Sequence, residues 1–203
     1  MSERRALLPT LESAFAGPRD SVLTVHEFLQ ALGERSYAFV IAALAVPCCI
    51  PTGIPLISTV VGVPMIVLLV EEFGGSRTAL LPQFIERRGL PRGRLQIGLE
   101  RVRRHIVWLE DRIHARHEWW VAGLPRRLLL AAWTIDIVIL ALPIPFDNLI
   151  PAWAILFFCL ALLEDDGVMA MLGWLFTLLT AAWTTFLVMV GPYYLFKLIR
   201  SLA

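Results

Sequence analysis

Charge is what this sequence has least of. Only 17% of its 203 residues are Asp, Glu, Lys or Arg, whereas the surface of a soluble domain carries roughly 25–35%. That deficit argues against an ordinary water-exposed globule. Basic residues are missing altogether from Ser36–Ser76 and from Leu128–Phe196. Cysteine is scarce too. Cys48, Cys49 and Cys159 form no CxxC spacing, so they read as reduced, small apolar residues without a redox role. The N-terminal "MSERRALLPTLESAFAGPRD" has no apolar core of leader length before Pro9 and Pro18, and no cleaved signal is expected. There is no glycine-rich phosphate loop, GxSxG elbow or HExxH pair, and no nucleophile stands beside a base at a readable spacing. The sequence therefore lends no support to an enzyme, a cofactor or a nucleic-acid partner.

What is present is apolar. The chain is 58% hydrophobic with a mean hydropathy of +0.70, against roughly 45–50% apolar in a typical soluble domain. Its cations fall in three places: the arm up to Arg35, the stretch Arg77–Arg127, and the tail with Lys197 and Arg200. This is the pattern of an all-α integral membrane protein whose basic middle stretch stays in the cytoplasm. One membrane domain over 1–203 is expected. It comprises a cytoplasmic arm (1–35), a hairpin (36–76), a basic amphipathic region (77–127), a second hairpin (128–167), and a transmembrane helix with its tail (168–203).

The two hairpins read as a repeat. "LAVPCCIPTGIPLI" and "LALPIPFDNLIPAW" align at a constant offset of 96 residues, which matches Pro47 with Pro143 and Pro55 with Pro151. Pro51 and Pro145 add further breaks, and each copy ends in acids before glycine: Glu71-Glu72, and Glu164-Asp165-Asp166. Proline lacks a backbone donor and clashes with the preceding turn, so neither centre continues a helix. The apolar arms of the second copy, Ala131–Leu142 and Ala152–Leu163, are 12 residues each. That is roughly 18 Å of helix against a hydrocarbon core of roughly 30 Å. Two geometries fit: re-entrant hairpins with the turn near mid-depth, or longer tilted arms with the turn at the far surface. The re-entrant form is favoured. Val168–Val190, 23 uncharged residues, is long enough to cross.

Several residues stand out chemically. Asp136 lies in "AAWTIDIVILAL", where insertion of a carboxylate costs roughly 2.5–3.5 kcal/mol. Apolar surroundings disfavour its charged form, which suits a proton carrier; the plainer alternative is an ion pair with Arg126 or Arg127. Asp147 and Asn148 occupy the second turn, and Pro51 and Thr52 the first. Helix ends and free carbonyls at such turns bind ions or anionic headgroups, although Asp147 can equally serve only as a turn cap. The acidic ends Glu71, Glu72, Glu164, Asp165 and Asp166 are either paired cation or Arg sites or plain interfacial charge facing the basic stretch. Glu110, His114, His117 and Glu118 fall on neighbouring turns, but read as a solvated face and not as a metal site. Between the hairpins, Leu95, Leu99, Val102, Ile106, Leu109 and Ile113 form one stripe of a helix over Arg94–Glu118. That stripe is expected to lie on the membrane surface, the alternative being a seam on its own domain or on a second copy in a homodimer.

The segments "LGERSYAFVIAALAVP", "LPQFIERRGLPRGRL", "LEDRIHAR" and "LPIPFDNLIPAWAILFFCLALLEDDG" resemble the exopolysaccharide synthesis ExoD family. The similarity runs over roughly Ser21–Thr184, and the last motif is the most specific. The resemblance implies a multi-pass protein of the bacterial inner membrane linked to exopolysaccharide production. It implies no reaction, since the family name describes a process. Two functions then compete. One is a small transporter or translocase for an anionic lipid such as polyprenyl phosphate, proton- or ion-coupled through Asp136, Asp147, Asn148 and Thr52. The other is a non-catalytic membrane scaffold for a polysaccharide assembly.

Overall fold

The computed structural model describes residues 7–50, 57–74, 78–79, 81–110, 112–113, 116–144 and 147–202. Thr52, Pro51, Pro55, Pro145 and His114 lie outside them. The described chain is almost entirely helical. Its first layer holds α1 (Leu7–Phe15), α2 (Val25–Leu32), the four-residue α5 (Gln83–Glu86) and α6 (Arg92–Glu110). A two-stranded ribbon joins distant parts of this layer: β1 (Val22–Thr24) pairs antiparallel with β2 (Gly89–Pro91), with Leu23 opposite Leu90. Thr24 then caps α2 reciprocally. Its hydroxyl accepts from the Glu27 amide at 3.2 Å, and Glu27 Oε2 accepts from the Thr24 amide at 3.0 Å, so two otherwise orphaned donors are satisfied.

α6 ends at Glu110, short of the expected Glu118. Tertiary contacts stop it. Beyond Glu110 the chain buries Ile113 and turns through His117 in the left-handed region, at φ 52°. Arg116 O then accepts from the Gly167 amide at 2.8 Å. Only glycine admits this crossing, because a Cβ on Gly167 would lie 2.5 Å from the His117 carbonyl.

The second layer holds α3 (Ser36–Ala45), α4 (Ile57–Phe73), α7 (Gly123–Ala141), α8 (Leu149–Glu164) and α9 (Gly167–Leu202). The hairpin arms are longer than the sequence reading allowed. α7 has 19 residues and α8 has 16, about 28 and 24 Å of helix. Pro125 and Pro151 sit in first turns, where the missing N–H would have had no partner anyway. They open these helices and do not break them. Pro64 is accommodated inside α4.

The first arm of each hairpin packs on the second arm of the other, α3 on α8 and α4 on α7. Both turns lie at the same end. Near the start of α4, Gly62 comes so close to Ala141, near the end of α7, that a Cβ on it would be 2.7 Å from the Ala141 Cβ. α9 runs back along α8 and also touches α7. The core centres on Trp133, Tyr37, Phe158 and Ile41, all essentially inaccessible.

The outside of this bundle is apolar as well. Val60, Val63, Val67 and Val70 of α4 and Leu175, Leu178 and Met189 of α9 are exposed, and rows of exposed apolar side chains mark interaction or membrane surfaces. Val25–Cys49 and Gly167–Val190 are long and apolar enough to cross a membrane.

Candidate functional site

Two carboxylates are buried in the helical bundle. Asp136 projects from the middle of α7 and Asp147 from the turn just before α8; they are 0% and 1% exposed. Both are reached by one face of α9, where threonines recur at a spacing of three and four: Thr177, Thr180 and Thr184. Thr177 Oγ1 donates to Asp136 Oδ2 at 2.6 Å, and Thr184 Oγ1 donates to Asp147 Oδ2 at 2.7 Å. Thr180 lies between them, fully buried, with its hydroxyl unpaired among the described residues. The second oxygen of each acid, Oδ1, likewise has no hydrogen-bond partner there. Trp133 Nε1, one turn from Asp136, is buried and unpaired as well.

The Thr177 hydroxyl has two acceptors and one hydrogen. It lies 2.6 Å from Asp136 Oδ2 and 3.0 Å from the carbonyl of Gly173, one turn back on α9. With Asp136 ionised, the hydroxyl donates to the carboxylate. With Asp136 protonated, the acid donates to the hydroxyl oxygen and the hydroxyl donates to Gly173 O. Both charge states keep a complete hydrogen bond, because a hydroxyl is donor and acceptor at once. Such an acid can gain or lose a proton with little rearrangement around it.

Arg126 does not neutralise Asp136. It pairs instead with Glu72, at 3.3 Å, so the ion pair weighed for Asp136 from the sequence forms elsewhere. The acidic arm ends thus act as ties. Glu72 ends α4 and holds Arg126 of α7, while Asp165 ends α8 and holds Arg35, just before α3, at 3.4 Å. Each tie joins the second arm of one hairpin to the first arm of the other, at the end opposite the turns. Asp166 does something different. Its Oδ1 accepts from the Val168 amide at 2.7 Å and from Arg116 Nε at 3.2 Å. It is the N-cap of α9, where negative charge is favourable. At the end of α8 alone it would stand against a helix dipole; α9 starts at once, at Gly167, and reverses that sign. Glu71 and Glu164 sit half-buried beside these ties.

The remaining expected residues separate from the acids. Asn148 opens α8 without a side-chain cap bond, and nothing brings it to Asp136. Asp147 uses its side chain on Thr184, so it is more than a turn cap. Pro47 lies in a short 3-10 turn after α3, Pro143 is exposed in the second turn, and Pro151 is buried in the first turn of α8. Of the four residues weighed as a metal group, only the side chain of His117 is described. Among the described residues no group of three or more His, Cys, Asp or Glu is placed to hold a metal. The α9 threonines were missed by the sequence reading. Their signal was the 3-4 spacing inside an otherwise featureless apolar run, continued backwards by Gly173 and Ala170.

Residues 7–186 match the family model described as "Exopolysaccharide synthesis, ExoD". Protein ExoD of Rhizobium meliloti (strain 1021) is 28% identical over 185 residues, which cover 89% of this chain and 76% of that protein. No solved structure matches the chain. The family match runs from α1 into α9 and takes in both carboxylates and all three threonines, and the chain belongs to the exopolysaccharide synthesis ExoD family.

Proposed function

We propose that this chain is a multi-pass inner-membrane carrier serving exopolysaccharide production, without catalysis of its own, in which Asp136 and Asp147 take up and release a coupling proton or cation. The observation that carries this reading is the pair of fully buried carboxylates, each bonded by one α9 hydroxyl and ion-paired to nothing among the described residues. Acids inside a membrane domain are expensive and serve ion or proton paths far more often than architecture.

Depth supports the same reading. With Gly167 at the headgroup boundary among the ion pairs, Thr177 lies about 15 Å and Thr184 about 26 Å along α9. Asp136 then sits at the middle of a hydrocarbon core of about 30 Å, and the hairpin turns lie near its far side. We accordingly read the hairpins as nearly crossing, with mid-depth belonging to Asp136 and not to the proline turns. The exchange of arms between the hairpins favours a duplicated unit, and the positive-inside bias favours a cytoplasmic middle region.

The cargo we propose is an anionic lipid of the polyprenyl phosphate class. Its phosphate does not suit the acids themselves, which would repel it when ionised. It suits Arg35 and Arg126 at the open ends of the hairpins. The test is reconstitution of the full chain in vesicles, with an internal pH dye and an imposed gradient. Asp136→Asn and Asp147→Asn should each abolish flux while the protein still inserts, and each should reduce exopolysaccharide in cells at unchanged protein level. Normal polysaccharide output from both variants would overturn the carrier and leave a scaffold.

A further inference from the structure

The sequence pointed the apolar stripe of α6 at the membrane, but part of that face is already occupied, with Val102 left exposed at 45%. α1 lies along it. The contacts are specific: Gln96 Nε2 donates to the carbonyls of Phe15 and Gly17 at 2.9 and 3.1 Å, Arg92 reaches the carbonyls of Ala14 and Ala16, and Arg103 pairs with Glu12 at 3.2 Å. Leu95, Leu99 and Ile106 are correspondingly half-buried.

The opposite face carries its own 3-4-3-4 stripe: Arg94, Ile97, Arg101, Arg104 and Trp108. All five are exposed, Ile97 at 51% and Trp108 at 55%. Just past the helix, Arg112 stacks over the Trp108 ring at 4.2 Å. Among the described residues one acid, Glu100, borders the stripe.

We propose that this outer face of α6 docks on the anionic headgroups of the membrane that holds the bundle. The composition selects that occupant. Four arginines surround two apolar side chains long enough to reach the acyl boundary, and arginine stems can lie along that boundary while their guanidinium groups meet phosphates. Tryptophan beside arginine is the pairing that settles at a bilayer interface. The stripe has too much charge and too little apolar surface for a dry protein seam. The inference rests on the bundle being in a bilayer but not on transport, so Asp136→Asn should leave it unchanged.

The test uses the full-length protein in nanodiscs of pure phosphatidylcholine or of a mixture with phosphatidylglycerol. Spin labels placed singly at Ile97→Cys and at Leu99→Cys report access to oxygen dissolved in lipid and to a water-soluble nickel chelate. Expected is a label at 97 that moves into the headgroup layer only with phosphatidylglycerol and is released by salt, while the label at 99 does not change. Each of Arg94→Gln, Arg101→Gln and Arg104→Gln should weaken that docked state by roughly fivefold. A label at 97 that behaves alike in both lipids would overturn the proposal, as would one protected equally in both by a protein contact.

Discussion

Replacing Thr177 by valine tests the central contact directly. The substitution is near-isosteric and removes the hydroxyl that donates to Asp136 Oδ2 at 2.6 Å. Oδ2 is then stranded beside an Oδ1 that already lacks a partner. A buried acceptor left unpaired costs about 1–3 kcal/mol. Thr177→Ser keeps the hydroxyl and loses one methyl, about 0.8 kcal/mol. Because those figures approach one another, the decisive measurement is a double-mutant cycle with Asp136→Leu, read by equilibrium unfolding of the purified protein in mixed micelles. In the leucine background there is no carboxylate to strand, and the hydroxyl is already satisfied by Gly173 O at 3.0 Å. Valine should then cost less by about 1–3 kcal/mol than in the native background, whereas the serine cost should be the same in both. Equal valine costs in the two backgrounds would refute the idea that Thr177 serves Asp136.

Other perturbations are read the same way. A Cβ at Gly173 would sit 2.4 Å from the ring of Phe158, which is fully buried, so Gly173→Ala should destabilise by about 1–3 kcal/mol through overpacking of α8 against α9. Arg126→Gln should be worse than Glu72→Gln by about 1 kcal/mol, since it strands an acid that is only 11% exposed while Arg126, 42% exposed, can rehydrate alone; unfolding of both variants decides it. Gly167→Ala should open the crossing over Arg116–His117, where a Cβ meets the His117 carbonyl at 2.5 Å, and limited trypsin digestion should then cut faster after Arg112 and Arg116.

The helical, apolar character of the chain was legible because it is written in runs: long apolar blocks bounded by prolines and by acids before glycine. Helix lengths were not. The first arm was counted over its apolar residues alone, whereas α7 reaches back through Arg127 and Arg126 to Gly123, and Pro151 was counted as a boundary, although the first turn of a helix tolerates proline. The end of α6 was hidden for another reason. Nothing between Glu110 and Glu118 forbids a helix, and the stop comes from a contact some fifty residues away, Arg116 on Asp166. The ribbon was invisible because its strands are three residues each and meet only after folding. Asp136 announced itself as a lone acid in an apolar run. Its partner did not, since a threonine in a membrane helix can satisfy its own backbone, as Thr185 does on Ala181 O at 2.7 Å.

On the proposal that the two hairpins are a duplicated unit, the first supplies an internal comparison for the acids. At the offset that matches Pro47 with Pro143, Asp136 corresponds to Val40 and Asp147 to Pro51. Val40 sits half-buried on α3 and packs against the core cluster, so an arm in this position folds without an acid. The ties at the open ends, by contrast, run between the hairpins, as Arg35 with Asp165 and Arg126 with Glu72. The α9 hydroxyls, in turn, bond to Asp136 and Asp147 of the second hairpin. Hydroxyls on α9 answer to acids that only the second hairpin carries, and burial of an acid is tolerated where a task needs it. On the proposed carrier reading, α7, α8 and α9 hold the acids and their hydroxyls, and the ion pairs fasten the first hairpin to them.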